Sequence, residues 1–174
     1  MSLVFLIGMP GVGKTFWGRK WSAASDFQFM DLDSLIERKA EMSIPQIFRD
    51  LGEEGFRTLE TAALAETIAV VEAKNAIIAT GGGTPVFNNN INLMLNAGLV
   101  LYLKADIDTL LQQIAASDVQ RPLLQQSALG ASVLEDLQRR RAPFYDRAHM
   151  TLSVETLRTD TFAQILKECT DRQL

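Results

Sequence analysis

The chain has one cysteine, Cys169, and one histidine, His149. A single thiol excludes an internal disulfide framework and a metal site built from thiolates. A single imidazole excludes a multi-histidine site, and His149 reads as a helix-end or strand-start residue. Positive charge is not in excess either. The formal net charge is −4 and the pI about 5.0, so no global basic field draws in nucleic acid, and none is expected as a partner. Local groups must hold any anionic ligand. No apolar run is long enough to span a bilayer. The run Leu3 to Ile7 is too short for a signal sequence and lacks a basic flank. These absences fit a reducing cytoplasm and no membrane partner.

What is present suits one domain over 1–174 with a substantial core: 174 residues, 47% of them hydrophobic. "LVFLI" (3–7) is a continuous apolar run of the kind found in parallel sheets. A glycine-rich turn follows, then helical patterning from about 14 to 25. "FQFM" leads a second strand into Asp31, and helices are expected near Ser34, after Pro45 and over about 55–73. The remaining expectations are strands at 76–80, 99–103 and 150–154. Helices are expected near 88–96, from Asp106, at 131–148 and at 159–171. Residues 115–130 have weak periodicity and read as a mobile lid or an ordinary surface loop. Alternating strands and helices predict a parallel sheet covered on both faces, an α/β/α sandwich whose ligands bind at the carboxyl ends of the strands.

"GMPGVGKT", Gly8 to Thr15, lies between a strand and a helix and fits the phosphate-binding P-loop. The backbone N–H groups of Gly11, Val12 and Gly13 can turn toward phosphate oxygens. Lys14 is placed to reach the β- and γ-phosphates, and Thr15 to ligate Mg²⁺. No base-reading motif of the GTPase kind is present, so a small kinase leads. "FMDLD" sets Asp31 and Asp33 two apart. In an extended chain both project from one face, one for Mg²⁺ and one to take a hydroxyl proton. The alternative is that Asp33 only caps the following helix.

Two arginines sit in line with buried helix faces. In "GEEGFRTLE", Arg57 and Glu60 align with Leu64, Ile68 and Val71. In the helix at 131–148, Arg141 continues the stripe Leu134, Leu137, Phe144, Tyr145 and Ala148, whereas Arg139 and Arg140 point away. Glu60 can partner Arg57 across one turn. The remaining guanidinium donors suit a planar carboxylate ligand, so the acceptor reads as a small hydroxy acid. An internal salt-bridge network is the alternative. "ATGGG" ends a strand, and Gly81, Gly82 and Gly83 let backbone approach a compact ligand, or form a plain tight turn. Arg121, before Pro122, could close over the transferring phosphoryl group.

Taken in order, "GMPGVGKT", "DLD", "GEEGFRTLE", "TGGG", "RPLL" and "RRAPFY" resemble the shikimate kinase family over nearly the whole chain. The resemblance implies ATP-dependent phosphorylation of the 3-hydroxyl of shikimate, on the route to chorismate and the aromatic amino acids. It also implies Mg²⁺, a five-stranded parallel sheet of order 2-3-1-4-5, a closing lid and a monomer. In that family the arginines matching Arg57 and Arg141 hold the shikimate carboxylate. Asp31 matches the aspartate associated with Mg²⁺, and Asp33 the one at the reacting hydroxyl. The glycine triplet and the lid arginine match Gly81 to Gly83 and Arg121. The acceptor region is then about 31–62 and the lid about 115–130. "TPVFNNN", after the glycines, is less charged than in many members. A gluconate kinase or other small P-loop kinase is the nearest rival, and a nucleotide-binding module without turnover is the rival from another class.

Overall fold

A computed structural model describes residues 3–71, 75–116 and 130–171. The lid expected at 115–130 falls almost entirely outside them, and with it Arg121.

Five strands form one sheet: β1 (Leu3–Ile7), β2 (Gln28–Asp31), β3 (Ala76–Ala79), β4 (Leu99–Lys104) and β5 (Met150–Ser153). All pairings are parallel, and the order is β2-β3-β1-β4-β5. The apolar runs take the centre. Every residue of β1 and β3 is buried, and β4 is buried up to Lys104. The mixed sequences "QFMD" and "MTLS" take the edges, where one side is covered and the other meets water.

The helices are α1 (Lys14–Ser22), α2 (Leu32–Ala40), α3 (Ile44–Val71), α4 (Asn90–Ala97), α5 (Ile107–Ala115), α6 (Gly130–Tyr145) and α7 (Thr161–Asp171). From β1 the chain runs to the β2 edge, while β4 leads to β5 at the other edge. Right-handed crossovers in opposite directions put helices on both faces. On the α1 face, Trp21 is fully buried, stacks on Phe162 of α7 at 5.4 Å and donates to Arg158 O at 3.2 Å. Gly18 lets α1 settle on the sheet; a methyl group there would lie 2.4 Å from the Phe29 ring.

Several boundaries differ from expectation. The two helical segments expected around Pro45 and at 55–73 are continuous except at Gly52. Its φ of 68° and ψ of −176° belong to glycine alone, and they redirect the chain just before Arg57. This helix pair starts from a reciprocal cap: Ser43 N donates to Gln46 Oε1 at 2.8 Å and Gln46 N to Ser43 Oγ at 3.4 Å. α1 ends at Ser22 rather than 25. α6 runs through Pro143 but ends at Tyr145, so Ala148 lies in the following turn. β5 stops at Ser153, where a short 3₁₀ turn begins. His149 precedes β5, where its Nδ1 accepts from Val100 N at 3.0 Å.

The register brings the functional segments level. Leu6 and Asp31 both pair with Ala79, and Ile7 pairs with Tyr102. The P-loop, the Asp31–Asp33 turn and the glycine triplet therefore leave the sheet along one edge.

Candidate active site

The P-loop turns on glycines with positive φ: 141° at Gly8, 87° at Gly11 and 91° at Gly13. A methyl group on Gly8 would sit 2.3 Å from Leu103 O, so no side chain fits at the strand exit. Lys14 Nζ donates to Gly8 O and Met9 O, each at 2.9 Å, and thus lies across the loop it belongs to. Beside the loop is a cleft of about 420 Å³ lined by Gly11, Gly13, Phe16, Trp17, Gln113, Ala116 and Val154. Phe16 is 61% exposed and meets Trp17 edge-to-face at 5.3 Å.

The aspartate pair is not the extended pair expected. Only Asp31 is extended (φ −108°, ψ 118°), because α2 already begins at Leu32. Asp31, not Asp33, caps that helix, with Oδ1 accepting from Ser34 N at 3.2 Å. Its Oδ2 accepts from Thr15 Oγ1 at 2.9 Å, which joins the end of β2 to the P-loop. Asp33, two residues further in the first turn of α2, reaches the glycine triplet instead. A methyl group on Gly81 would lie 3.1 Å from Asp33 Oδ1, from Glu60 Oε1 and from Thr84 Oγ1.

Among the described residues no group of three or more His, Cys, Asp or Glu forms a ligand cluster. The neighbouring Thr15 hydroxyl and Asp31 carboxylate are hard oxygen donors. They suit a Mg²⁺ ion that takes most of its ligands from phosphate and water.

Arg57 and Arg141 converge on the same glycines. A methyl group on Gly83 would lie 2.7 Å from Arg57 Nη1 and Nη2, and one on Gly82 would lie 2.9 Å from Arg141 Nη1 and from Pro10 Cδ. Both arginines are buried, at 9% and 8% exposure, and Glu60 is fully buried. Leu134 and Tyr145 share the buried face of α6, Leu137 and Phe144 are half-buried, and Arg139 and Arg140 are exposed. On α3, Leu64 is buried and Ile68 half-buried; the side chain of Val71 is outside the described set.

Arg57 Nη1 donates to Glu60 Oε2 at 2.9 Å and Nη2 to Glu53 Oε1 at 3.2 Å, and the guanidinium lies 4.1 Å from the Phe87 ring centre. Arg57 Nε and Arg141 Nη1 are buried with no hydrogen-bond partner among the described residues. Buried charged donors left open are costly. A planar anion at the glycine triplet would fill them.

Tyr145 adds a tie that the sequence does not announce. Its hydroxyl donates to Gly82 O at 2.6 Å, and burial pushes its pKa up to about 12 although the nearby Arg141 charge pulls it down. The uncharged loop after the triplet supplies more. Thr84 donates to Glu60 Oε1 at 2.6 Å, Phe87 underlies Arg57, and Asn88 Nδ2 donates to Arg57 O at 3.2 Å. The only sequence signal for these contacts is adjacency to "GGG" and, for Tyr145, to the arginine of "RRAPFY".

A phosphate loop, two aspartates and a pair of arginines therefore surround one glycine turn. Residues 10–171 match the family model for shikimate kinase. The chain belongs to the shikimate kinase family. A shikimate kinase of Parabacteroides distasonis is 35% identical over 164 residues, 92% of each chain. The shikimate kinase structure from Bacteroides thetaiotaomicron superposes with a TM-score of 0.87 at 31% identity, over 98% of both chains. The Acinetobacter baumannii shikimate kinase, solved in complex with shikimate, gives 0.86 at 35% identity over 100% of this chain and 96% of that one. Within this family fold, the described residues singled out from sequence are brought together; Arg121 lies outside the described residues.

Proposed function

We propose that the protein is a shikimate kinase, transferring the γ-phosphoryl group of ATP to the 3-hydroxyl of shikimate to give shikimate 3-phosphate and ADP. One observation carries the acceptor assignment. Two buried guanidinium groups from different helices meet at Gly82 and Gly83, beside Pro10 of the P-loop, and each keeps an open donor. A carboxylate is the planar, anionic acceptor that matches them. A single arginine would suit gluconate equally well; the pair on one small glycine turn favours a compact ring acid. The match over residues 10–171 gives the same reading independently.

In this reading Arg57 and Arg141 hold the shikimate carboxylate, and the bare backbone of Gly81 to Gly83 makes room for the ring. Asp33, whose Oδ1 lies at Gly81, accepts the proton as the hydroxyl oxygen attacks phosphorus. The in-line displacement breaks the bond to the bridging oxygen and leaves ADP. The Gly11, Val12 and Gly13 N–H groups cradle the phosphates, and Lys14 leaves the Gly8 and Met9 carbonyls to follow the charge. Thr15 and Asp31 would hold Mg²⁺, which would neutralise phosphate charge when bound. The nucleotide base would enter the cleft between Trp17, Gln113 and Val154. Arg121 is proposed as a further cation for the phosphoryl group on its sequence motif alone. The family resemblance favours a monomer of one kinase domain.

ADP release measured with ATP, Mg²⁺ and a panel of shikimate, gluconate and nucleoside monophosphates tests this function. Turnover specific to shikimate is expected; turnover of gluconate alone, or of none, would overturn it.

A further inference from the structure

We propose that Thr84 is a positioning residue for the acceptor site, acting on Arg57 through Glu60. The inference rests on the reading of Arg57 as a carboxylate-binding residue.

Thr84 follows the glycine triplet and is fully buried, as is Glu60. Its backbone N–H bonds Gly81 O at 3.1 Å, which closes the turn. Its hydroxyl donates to Glu60 Oε1 at 2.6 Å, while the other carboxylate oxygen, Oε2, accepts from Arg57 Nη1 at 2.9 Å. Each oxygen of Glu60 thus has one side-chain donor, and the two donors come from different segments. That division fixes the plane of the carboxylate and assigns Oε2 alone to Arg57.

Without the hydroxyl, Oε1 becomes a buried acceptor with nothing to accept from. The carboxylate then gains by turning both oxygens toward Arg57, the charged donor it already pairs with. The Gly83 backbone and the Phe87 ring crowd the guanidinium, which leaves a shift toward Glu60 as its response. Its fork would be drawn toward Glu60 and away from the ligand. Displacements of this kind, on the order of 1 Å, are enough to cost a large factor in substrate engagement. The hydrogen bonds of Thr84 run to Gly81 and Glu60, on the acceptor side, so the effect should fall on the acceptor alone.

The test is steady-state kinetics of Thr84→Val, which keeps the shape and removes the hydroxyl, against Thr84→Ser, which keeps the hydroxyl. Thr84→Val is expected to raise KM for shikimate by about 10-fold, the scale of one unsatisfied buried acceptor, and to leave KM for ATP unchanged. Thr84→Ser is expected to stay within about threefold of wild type. In an Arg57→Ala background, Thr84→Val should add less than about twofold, since the residue it acts through is gone. If Thr84→Val fails to fold, Thr84→Ala carries the same expectation. Equal losses in Ser and Val, a parallel rise in KM for ATP, or full multiplication with Arg57→Ala would each overturn the proposal. Wild-type enzyme run alongside separates the two levels. No shikimate turnover by wild type sinks the parent reading, whereas normal wild-type turnover with an unaffected Thr84→Val sinks only the role of Thr84.

Discussion

Replacing Arg57 with alanine removes a charge that is doubly committed. Among the described residues Arg57 is one of two side-chain donors to the fully buried Glu60, and its Nε is buried with no partner among them. Truncating one partner of a buried, hydrogen-bonded charge pair costs roughly 2–5 kcal/mol in binding. At about 1.4 kcal/mol per decade, kcat/KM for shikimate should fall by roughly 30- to 5000-fold. The same change leaves Glu60 with Thr84 as its one side-chain donor among the described residues, which threatens stability by about 3–5 kcal/mol. The two effects separate by adding Glu60→Gln, which removes the orphaned charge. Coupled ADP-release assays with shikimate varied at saturating ATP, run beside thermal unfolding, read both. The double variant should regain most of the melting temperature and none of the kcat/KM. An Arg57→Ala enzyme with unchanged kcat/KM, or one whose activity returns with Glu60→Gln, would refute a direct role for Arg57 in holding the acceptor.

Asp33→Asn should lower kcat by at least about 100-fold while leaving nucleotide affinity, measured by ADP titration, near wild type; equal losses in both would point to folding or metal binding instead. Gly83→Ala places a methyl group 2.7 Å from both Arg57 Nη atoms, the far end of a flexible side chain. The fold should survive it, and KM for shikimate should rise at least about 10-fold with KM for ATP unmoved; a wild-type KM would argue that Arg57 is elsewhere during turnover. Tyr145 gives a pH signature. Its pKa is pushed up to about 12, so between its ordinary value near 10 and that figure the folded state keeps a proton that the unfolded state has lost. The stabilisation is complete below about pH 10 and lost as pH rises through the folded pKa, roughly 3 kcal/mol in all. Urea unfolding from pH 9 to 12 should show that loss in wild type and a shallower one in Tyr145→Phe; identical slopes would contradict it.

Local chemistry made much of the site legible. The P-loop declares itself by glycine spacing between a strand and a helix, and the 3.6-residue period is enough to put Arg57, Glu60 and Arg141 on buried faces. The strand order came from the family resemblance, since apolar runs name the central strands without ordering them. What could not be read depends on contacts between distant segments. Thr84 meets Glu60 across 24 positions and Tyr145 meets Gly82 across 63. Nothing local marks either pair. The extended geometry of the aspartate pair fails for a local reason. Asp31 is a good cap, so α2 starts one residue after it and the extended geometry that would have aligned Asp33 with Asp31 never forms. The turn after Gly83 carries no charge, yet its threonine, phenylalanine and asparagine all contact Arg57 or its partner.

Calorimetric titration of the wild-type enzyme with shikimate and with shikimate methyl ester asks most directly whether Arg57 and Arg141 grip one carboxylate. The ester keeps the ring and hydroxyls, removes the negative charge and adds one methyl group. Charge-assisted bonds from two buried arginines predict a Kd for the ester at least about 30-fold weaker, with most of that difference gone in Arg57→Ala. Equal affinity for acid and ester would contradict it.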